Sequence, residues 1–426
     1  MTMDDGVLVQ IATYNTNLQG LKGLPQDLVD WLSPTLQVSQ FLSRGNRAPD
    51  IVAVGFQELL PLHLGLAGLS KSVIEGRASH ILSEIEAHAP NKEKYTLVAK
   101  IVNVGVALLI YALDEGIARY VTDVQMSWTG TGPLYMGNKG AVGIRFRVAG
   151  EDGGVGETYT FVCAHLTAHA PNLAHRIADF HHIVGTLLFP ALLGSKHESP
   201  TTIYSTSHLF FFGDLNFRLD VPHILPNVCR DQMSEDVQRE ELKEYDQLSL
   251  EKRKGTIFRG FSEGEFWRFK GTYKYELGKV DTYSSKRLPA WTDRILYATY
   301  TDPPDVLGET GRTSSIKNLS YTSVPSYTTS DHKPVVSLLL MPIPRRSPAI
   351  LPVLQLGDYI PSPDPWANVK RYLGRVADRV IGFVWTAFTF LGMGSAIVGI
   401  FNFVIGLAWR YWWRATSTKT PTPPYA

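Results

Sequence analysis

Apolar residues fall into two kinds of run along this chain. Short stretches of alternating or continuous apolar, β-branched and aromatic residues occur at Gly6–Ala12, Asp50–Gly55, Tyr95–Val102, Gly105–Ala112, Ala141–Val148, Tyr159–Ala164, His208–Phe212 and Val335–Met341. Their length and content predict strands. Longer segments with helical spacing lie between them, at Leu24–Phe41, Leu69–His88, Asn172–Leu188 and Met233–Gln247. The body therefore reads as mixed α/β with many strands and no fixed-period repeat. Several predicted strands end abruptly in polar residues, where a sheet presents chemistry at its rim.

The pattern changes after Met341. Residues 1–342 are expected to form one catalytic domain, and residues 343–369, rich in proline, a semi-rigid linker. Residues 370–379 carry Lys370, Arg371, Arg375 and Arg379, read as a juxtamembrane basic segment that sets topology or attracts anionic headgroups. Residues 380–409 contain no charge, and Trp409, Tyr411, Trp412 and Trp413 resemble an interfacial belt beside Arg410 and Arg414. A continuous helix of that length would measure about 45 Å against a hydrocarbon core of roughly 30 Å. Two forms fit: a tilted transmembrane helix, and a re-entrant hairpin broken near Gly392-Met393-Gly394-Ser395. Residues 410–426 form a short polar tail. The expectation is a membrane-anchored protein inserted after translation, as tail-anchored proteins are.

Composition sharpens this picture. With 41 Lys+Arg against 40 Asp+Glu the formal charge is +1, hydrophobic residues make up 44 % and charged residues 19 %. Disorder, collagen-like repeats and a polybasic nucleic-acid binder are excluded. The charge is uneven: residues 343–426 carry nine Lys/Arg and three Asp, a net of +6, which leaves −5 on the rest. An acidic body with a basic, apolar tail suggests a soluble module brought to a membrane. Cys163 and Cys229 allow at most one bridge and fit a reducing compartment. The start, MTMDDG, shows no secretory signal.

Six short motifs carry candidate chemistry. Thr13-Tyr14-Asn15-Thr16-Asn17 and Gly55-Phe56-Gln57-Glu58 end two strands, and a carboxylate beside amides is an all-oxygen site suited to Mg²⁺. Met136-Gly137-Asn138-Lys139-Gly140 is a glycine-flanked turn whose backbone N–H groups and lysine could meet an anion. His165-Leu166-Thr167-Ala168-His169 follows a strand, with Arg176 and Asp179 downstream. There the strand-exit position of His165 and the absence of HExxH favour phosphate binding over zinc. Gly213-Asp214-Leu215-Asn216-Phe217-Arg218 exposes an acid and an amide two apart, suited to holding a water at a phosphoryl group. The last is a pair, Pro289–Leu296 (containing Asp293 and Arg294) and Ser330-Asp331-His332, in which an Asp fixes a His and favours its charged form. A Ser–His–Asp triad is discounted because no G-x-S-x-G elbow is present.

Taken in order, Asn…Gln-Glu…His…Gly-Asp-Leu-Asn…Asp-Arg…Ser-Asp-His resembles the endonuclease/exonuclease/phosphatase superfamily. Met136–Gly140, His165–His169, Gly213–Arg218, Thr272-Tyr273-Lys274-Tyr275 and Pro289–Leu296 make the chain similar, more narrowly, to inositol polyphosphate 5-phosphatases across about residues 5–342. The resemblance implies a two-sheet α/β sandwich of the endonuclease/exonuclease/phosphatase type with its site at one end of the strands. It implies that Glu58 and Asn15, with Asn17, hold Mg²⁺, and that Asp214 activates water. Asn216, His165 and His332 would bind the scissile phosphate, with Asp293 orienting His332 and Asp331 in the same catalytic set. Tyr273, Lys274 and nearby basic residues would grip the adjacent 4-phosphate. Asn138, Lys139, Lys286, Arg287 and Arg294 complete the substrate-binding candidates.

Four positions depart from the family pattern: Ile177 after Arg176, Thr292 for Cys, Phe217 for Tyr, and a lysine shifted by one in Ser285-Lys286-Arg287. The implied activity is hydrolysis of the 5-phosphate of phosphoinositides, phosphatidylinositol 4,5-bisphosphate foremost. The expected partners are lipid and membrane, with no nucleic acid. The expected location is the cytoplasmic face of the endoplasmic reticulum or another endomembrane. A superfamily phosphodiesterase (nuclease or sphingomyelinase type) and a catalytically silent lipid-binding adaptor are the alternatives.

Overall fold

Alternation of side chains along paired strands organises the molecule. The computed structural model describes residues 6–18, 47–150, 154–192, 200–221, 226–304, 313–343 and 350–417; the helix expected at Leu24–Phe41 lies outside them. One six-stranded sheet contains β1 (Leu8–Asn15), β2 (Ile51–Gln57), β3 (Tyr95–Asn103), β4 (Val106–Leu113), β11 (Lys317–Ser323) and β12 (Val335–Leu340), in the order β11-β12-β1-β2-β4-β3. The second contains β5 (Val121–Gly130), β6 (Gly140–Val148), β7 (Glu157–His165), β8 (His208–Asp214), β9 (Ser262–Glu263) and β10 (Asp293–Thr299), in the order β5-β6-β7-β8-β10-β9. Among the described strands, β1–β2 and β7–β8 are the parallel pairs.

Residues of one parity face the opposite sheet. Val9, Ile11, Ile51, Ala53, Phe161, Cys163, Phe210, Phe212 and Ile295 share the inter-sheet core. Residues of the other parity meet outer helices. Val52, Val54 and Phe56 pack on α2 (Ser70–His88), which follows the short α1 (Leu62–Ala67). Val162, Leu209 and Phe211 pack on α3 (Leu173–Thr186). Gly55 is required where the sheets come closest, since a Cβ there would lie 2.7 Å from Cys163 Sγ and from Phe212. Cys163 and Cys229 are buried and unpaired.

The polar strands β5 and β11 escape sequence reading because both are sheet edges with exposed or half-buried positions. The single helix expected over Met233–Gln247 is instead divided into α4 (Pro226–Ser234), α5 (Asp236–Leu242) and α6 (Gln247–Arg253). Asp246 is extended and its carboxylate accepts from Ser249 N–H, restarting the helix as an N-cap.

The C-terminal region differs more. Residues 350–366 lie against the body instead of spacing it from an anchor. Leu351 and Leu354 are buried, three residues apart as suits an extended polyproline chain. Leu354 N–H donates to Thr206 O, Ser207 Oγ to Pro352 O, and Asp364 N–H to Gly185 O. Helices α7 (Ala367–Leu391) and α8 (Ala396–Ser417) follow. No single described helix is long and apolar enough to cross a membrane; α7 and α8 pass that test only together, bent by 79°. The continuous transmembrane helix is thus replaced by a pair broken at Gly392–Ser395, where Gly394 adopts φ 103°.

Candidate active site

Strand alternation delivers the site. Asn15, His165, Asp214 and Asp293 are inward-facing residues at strand termini. Their strands are aligned so that His165 is registered with Asp214, and Asp214 with Asp293. All four therefore meet at one end of the inter-sheet core.

Asp214 is the hub. Its Oδ2 accepts from Asn15 Nδ2 at 2.9 Å, lies 3.2 Å from His165 Nε2 and 3.8 Å from His332 Nε2. Its Oδ1 accepts from Asn216 N–H at 3.1 Å. Burial alone would raise its pKa, but His332, His165 and Lys139 outweigh that and hold the carboxyl well below the usual range. Asn216, at φ 58°, turns the chain sharply and donates through Nδ2 to Leu166 O.

His332 is oriented from behind. Its Nδ1 lies 2.9 Å from Asp293 Oδ2, which also accepts from Thr272 Oγ1 at 2.6 Å and Thr292 Oγ1 at 2.8 Å. Burial disfavours the imidazolium, yet Asp293 and Asp214 prevail and lift its pKa to about 9. Thr292 is therefore a donor to the orienting carboxylate. Ser330 Oγ fixes this segment to the opposite strand by donating to Asn15 O.

The 131–140 turn supplies Lys139. Its Nζ contacts His165 Nε2 and stands 4.0 Å from Glu58 Oε1, which is itself 3.8 Å from His165 Nε2. Asn138 is in the same turn, and its buried Oδ1 has no partner among the described residues.

Beside the hub lies a cleft of about 270 Å³ lined by His169, Arg218, Tyr273, Lys286 and Arg287. Arg218 was legible only as the end of Gly213–Arg218 and was missed as a site residue. Its guanidinium sits 4.2 Å above the Tyr273 ring and donates to Asn216 O and Oδ1. The Tyr273 ring in turn lies 4.6 Å from that of His332. Both Lys286 and Arg287 reach the cleft, so the shifted lysine register is accommodated. Arg176 and Asp179 hold the His165–Ala170 loop by bonding its backbone at Thr167 and His169.

Several expectations are corrected. Arg294 is fully buried and bonds Glu263 through two nitrogens at 2.6 Å and Asp246 at 3.0 Å. It follows the inward Asp293 on β10, so it faces the other side of the sheet and cannot reach substrate. Asp331 does not join the hub; its carboxylate accepts from Lys274 Nζ at 2.6 Å. Lys274 consequently enters the site already ion-paired. Asn17 contributes its backbone N–H to Asn15 Oδ1. The Gly137 N–H is bonded to Asp378 and is not free for an anion. Arg371, Arg375 and Arg379 face the body: they donate to Ser127 Oγ, Asn103 Oδ1 and Leu66 O.

The donor chemistry fits a hard divalent cation. Glu58 offers a partly exposed carboxylate and Asn15 an amide oxygen, the all-oxygen set Mg²⁺ prefers. Asp214, Asp293 and His332 also place ligand atoms within 4.8 Å of one another. In that trio, however, Asp293 Oδ2 is filled by donors and His332 Nδ1 is tied to it, the pattern of an orienting pair.

Fold and site together define a two-sheet α/β sandwich with an acid–imidazole–amide cluster at its strand ends. A family model described as Endonuclease/Exonuclease/phosphatase family 2 matches residues 12–338, and the chain belongs to that family. It is similar to Type II inositol 1,4,5-trisphosphate 5-phosphatase of Mus musculus, 32 % identical over 341 residues, covering 77 % of this chain and 29 % of that protein. It is similar also to Phosphatidylinositol 4,5-bisphosphate 5-phosphatase A of Homo sapiens, 31 % identical over 365 residues, covering 83 % and 33 %. The chain thus spans about a third or less of these relatives. Among solved structures it resembles the inositol polyphosphate 5-phosphatase domain of SPsynaptojanin in complex with inositol (1,4)-bisphosphate and calcium ion, at TM-score 0.60 and 28 % identity, covering 79 % of this chain and 84 % of that one. A Cimex nitrophorin, at TM-score 0.53 and 20 % identity, shares the fold alone.

Proposed function

We propose that this chain is a Mg²⁺-dependent phosphatase that hydrolyses the 5-phosphate of membrane phosphoinositides, with phosphatidylinositol 4,5-bisphosphate as its main substrate. The observation that carries this reading is the convergence of Asp214, His165, His332 and Asn15 beside a basic and aromatic cleft.

With its pKa depressed, Asp214 is ionised at any working pH and a weak base toward free water. It therefore orients the attacking water and accepts the proton late, as the bond to phosphorus forms, which a loose phosphoryl-transfer transition state tolerates. The His332 imidazolium and Lys139 ammonium are positioned as donors to the phosphoryl oxygens, where charge is best stabilised by groups already in place. When bound, Mg²⁺ supplies further charge neutralisation at those oxygens, with Glu58 and Asn15 as its protein ligands. Arg218, Lys286 and Arg287 suit an adjacent ring phosphate, and Tyr273 lines the same cleft.

The lipid substrate is supported by the apolar surface of the C-terminal pair. Val369, Leu373, Val376, Val380 and Phe383 form an outward stripe on α7, and Phe390, Met393 and Ile397 are 80 %, 96 % and 81 % exposed. A surface this apolar and continuous is what a membrane interface presents. The catalytic body would then work on the cytoplasmic face of an endomembrane such as the endoplasmic reticulum. Phosphate release from a panel of soluble and vesicle-borne inositol phosphates, with Mg²⁺ or with EDTA, tests the reading. Release confined to 5-phosphate-bearing members and abolished by EDTA supports it; equal release from compounds lacking the 5-phosphate contradicts it.

A further inference from the structure

The acceptor for the Gly137 N–H comes from outside the family match, which ends at residue 338. Both carboxylate oxygens of Asp378, on α7, lie within reach of the Gly137 nitrogen, at 3.0 and 3.2 Å. Asp378 is 1 % exposed. α7 can approach this closely because its buried face carries Gly374 and Gly382 one turn to either side of Asp378. A Cβ at Gly374 would collide with Tyr135 O, and one at Gly382 with the Leu66–Ala67 backbone. The helix is therefore turned with its glycines and charges toward the body and its apolar stripe outward.

What this face grips is the site. Tyr135, Met136 and Gly137 precede Asn138 and Lys139, and Lys139 touches His165 and approaches Glu58. The turn is closed internally by Thr131 N–H to Lys139 O at 2.9 Å and Gly132 N–H to Met136 O at 3.0 Å. Those bonds shape the turn, whereas Asp378 ties it to α7. The Leu66–Ala67 end of α1, which Gly382 and Arg379 contact, lies just beyond Glu58 in the chain. We propose that Asp378 is a positioning residue for the substrate-binding turn, so that helix α7 completes the active site and joins it rigidly to the apolar pair. Measured along the helix, Phe383 is five residues from Asp378, or about 7.5 Å. The proposal rests on the phosphatase reading for its kinetic consequence but not for its structural one.

The test uses the full chain in detergent micelles, with soluble inositol 1,4,5-trisphosphate as substrate so that membrane binding does not enter. Asp378→Ala removes the acceptor, and Gly374→Leu lifts the helix without removing any polar group. Both should raise KM about tenfold with a smaller change in kcat, because a displaced Lys139 binds the phosphate poorly. Asp378→Asn keeps an oxygen acceptor and should recover most of the loss. Asn368→Ala, at an exposed position of the same helix outside the apolar stripe, should match wild type. Hydrogen exchange of residues 131–140, read on the same proteins without substrate, should quicken in Asp378→Ala and Gly374→Leu. Unchanged exchange, or faster exchange with a wild-type KM, overturns the proposal. A wild type inert both on this substrate and on vesicle-borne phosphatidylinositol 4,5-bisphosphate would instead overturn the phosphatase reading, and the exchange rates would still decide whether α7 holds the turn.

Discussion

Asn15 and Asp214 lie in different sheets, 199 positions apart in the chain, and are joined by one hydrogen bond of 2.9 Å from Asn15 Nδ2 to Asp214 Oδ2. That bond closes the catalytic end of the sandwich and supplies a neutral donor to a buried carboxylate. Asn15→Leu should lower kcat by about 10²-fold, since Asp214 would lose the group that fixes its orientation. Loss of one of the donors to this buried carboxylate should also cost on the order of 1 kcal/mol of stability. Asn15→Asp should be worse for activity, because a repelling carboxylate replaces the donor and pushes the Asp214 side chain out of position. Steady-state kinetics with thermal unfolding checks both.

The His332–Asp293 pair gives a pH signature. The pKa of His332 rises from 6.5 to about 9 on folding, so its contribution is fully present below pH 6.5 and is lost as pH climbs through 9. In EDTA, which removes any metal contribution, stability attributable to this residue should fall by on the order of 1–3 kcal/mol between pH 6.5 and 10. Asp293→Asn should flatten that slope. Thermal unfolding at stepped pH is the measurement; an unchanged slope in the variant would contradict the assignment.

Arg294 separates stability from recognition. The family resemblance puts it among the substrate contacts, but the buried bonds to Glu263 and Asp246 make it a structural ion-paired residue. Arg294→Ala leaves two buried carboxylates unpaired and should destabilise by about 3–5 kcal/mol. At a temperature where the variant is folded, its KM should stay near wild type. A large rise in KM without loss of stability would restore the recognition role.

Arg218 and Tyr273 should act together. The guanidinium sits 4.2 Å above the ring and also holds Asn216 through two nitrogens, so Arg218→Lys loses a forked set of contacts that an ammonium cannot reproduce. KM should rise about tenfold for substrates with a phosphate next to the scissile one, and less for those without it. The double variant with Tyr273→Leu should lose less than the product of the two single effects, as residues in contact do.

Much of this architecture is legible in the sequence because strands buried on both faces, such as β2 and β8, read as short, near-continuous apolar runs. The runs Gly6–Ala12, Tyr159–Ala164 and His208–Phe212, each followed closely by polar residues, announce both a strand and a polar terminus, and the site follows from the alignment of the strands they become. Edge strands β5 and β11 lack the signal because water, not the core, faces much of their surface. Direction is what the sequence leaves open. Asp293 and Arg294 are adjacent and similarly polar, and only the pleat decides that one enters the cleft and the other leaves it. Arg371, Arg375 and Arg379 resemble a membrane flank, yet the two glycines on the same helix face turn them onto the body. Charge and hydropathy alone cannot distinguish a helix that shows its apolar side to lipid from one that buries it.

The central claim is that the Asp214-centred cluster hydrolyses the 5-phosphate ester. Its most direct test is product identification with wild type and Asp214→Asn on vesicles containing phosphatidylinositol 4,5-bisphosphate and Mg²⁺. The wild type should yield phosphatidylinositol 4-phosphate, and Asp214→Asn should be slower by about 10²–10⁴-fold with its fold intact. Formation of the 5-phosphate isomer, or a variant within a few-fold of wild type, would contradict the account.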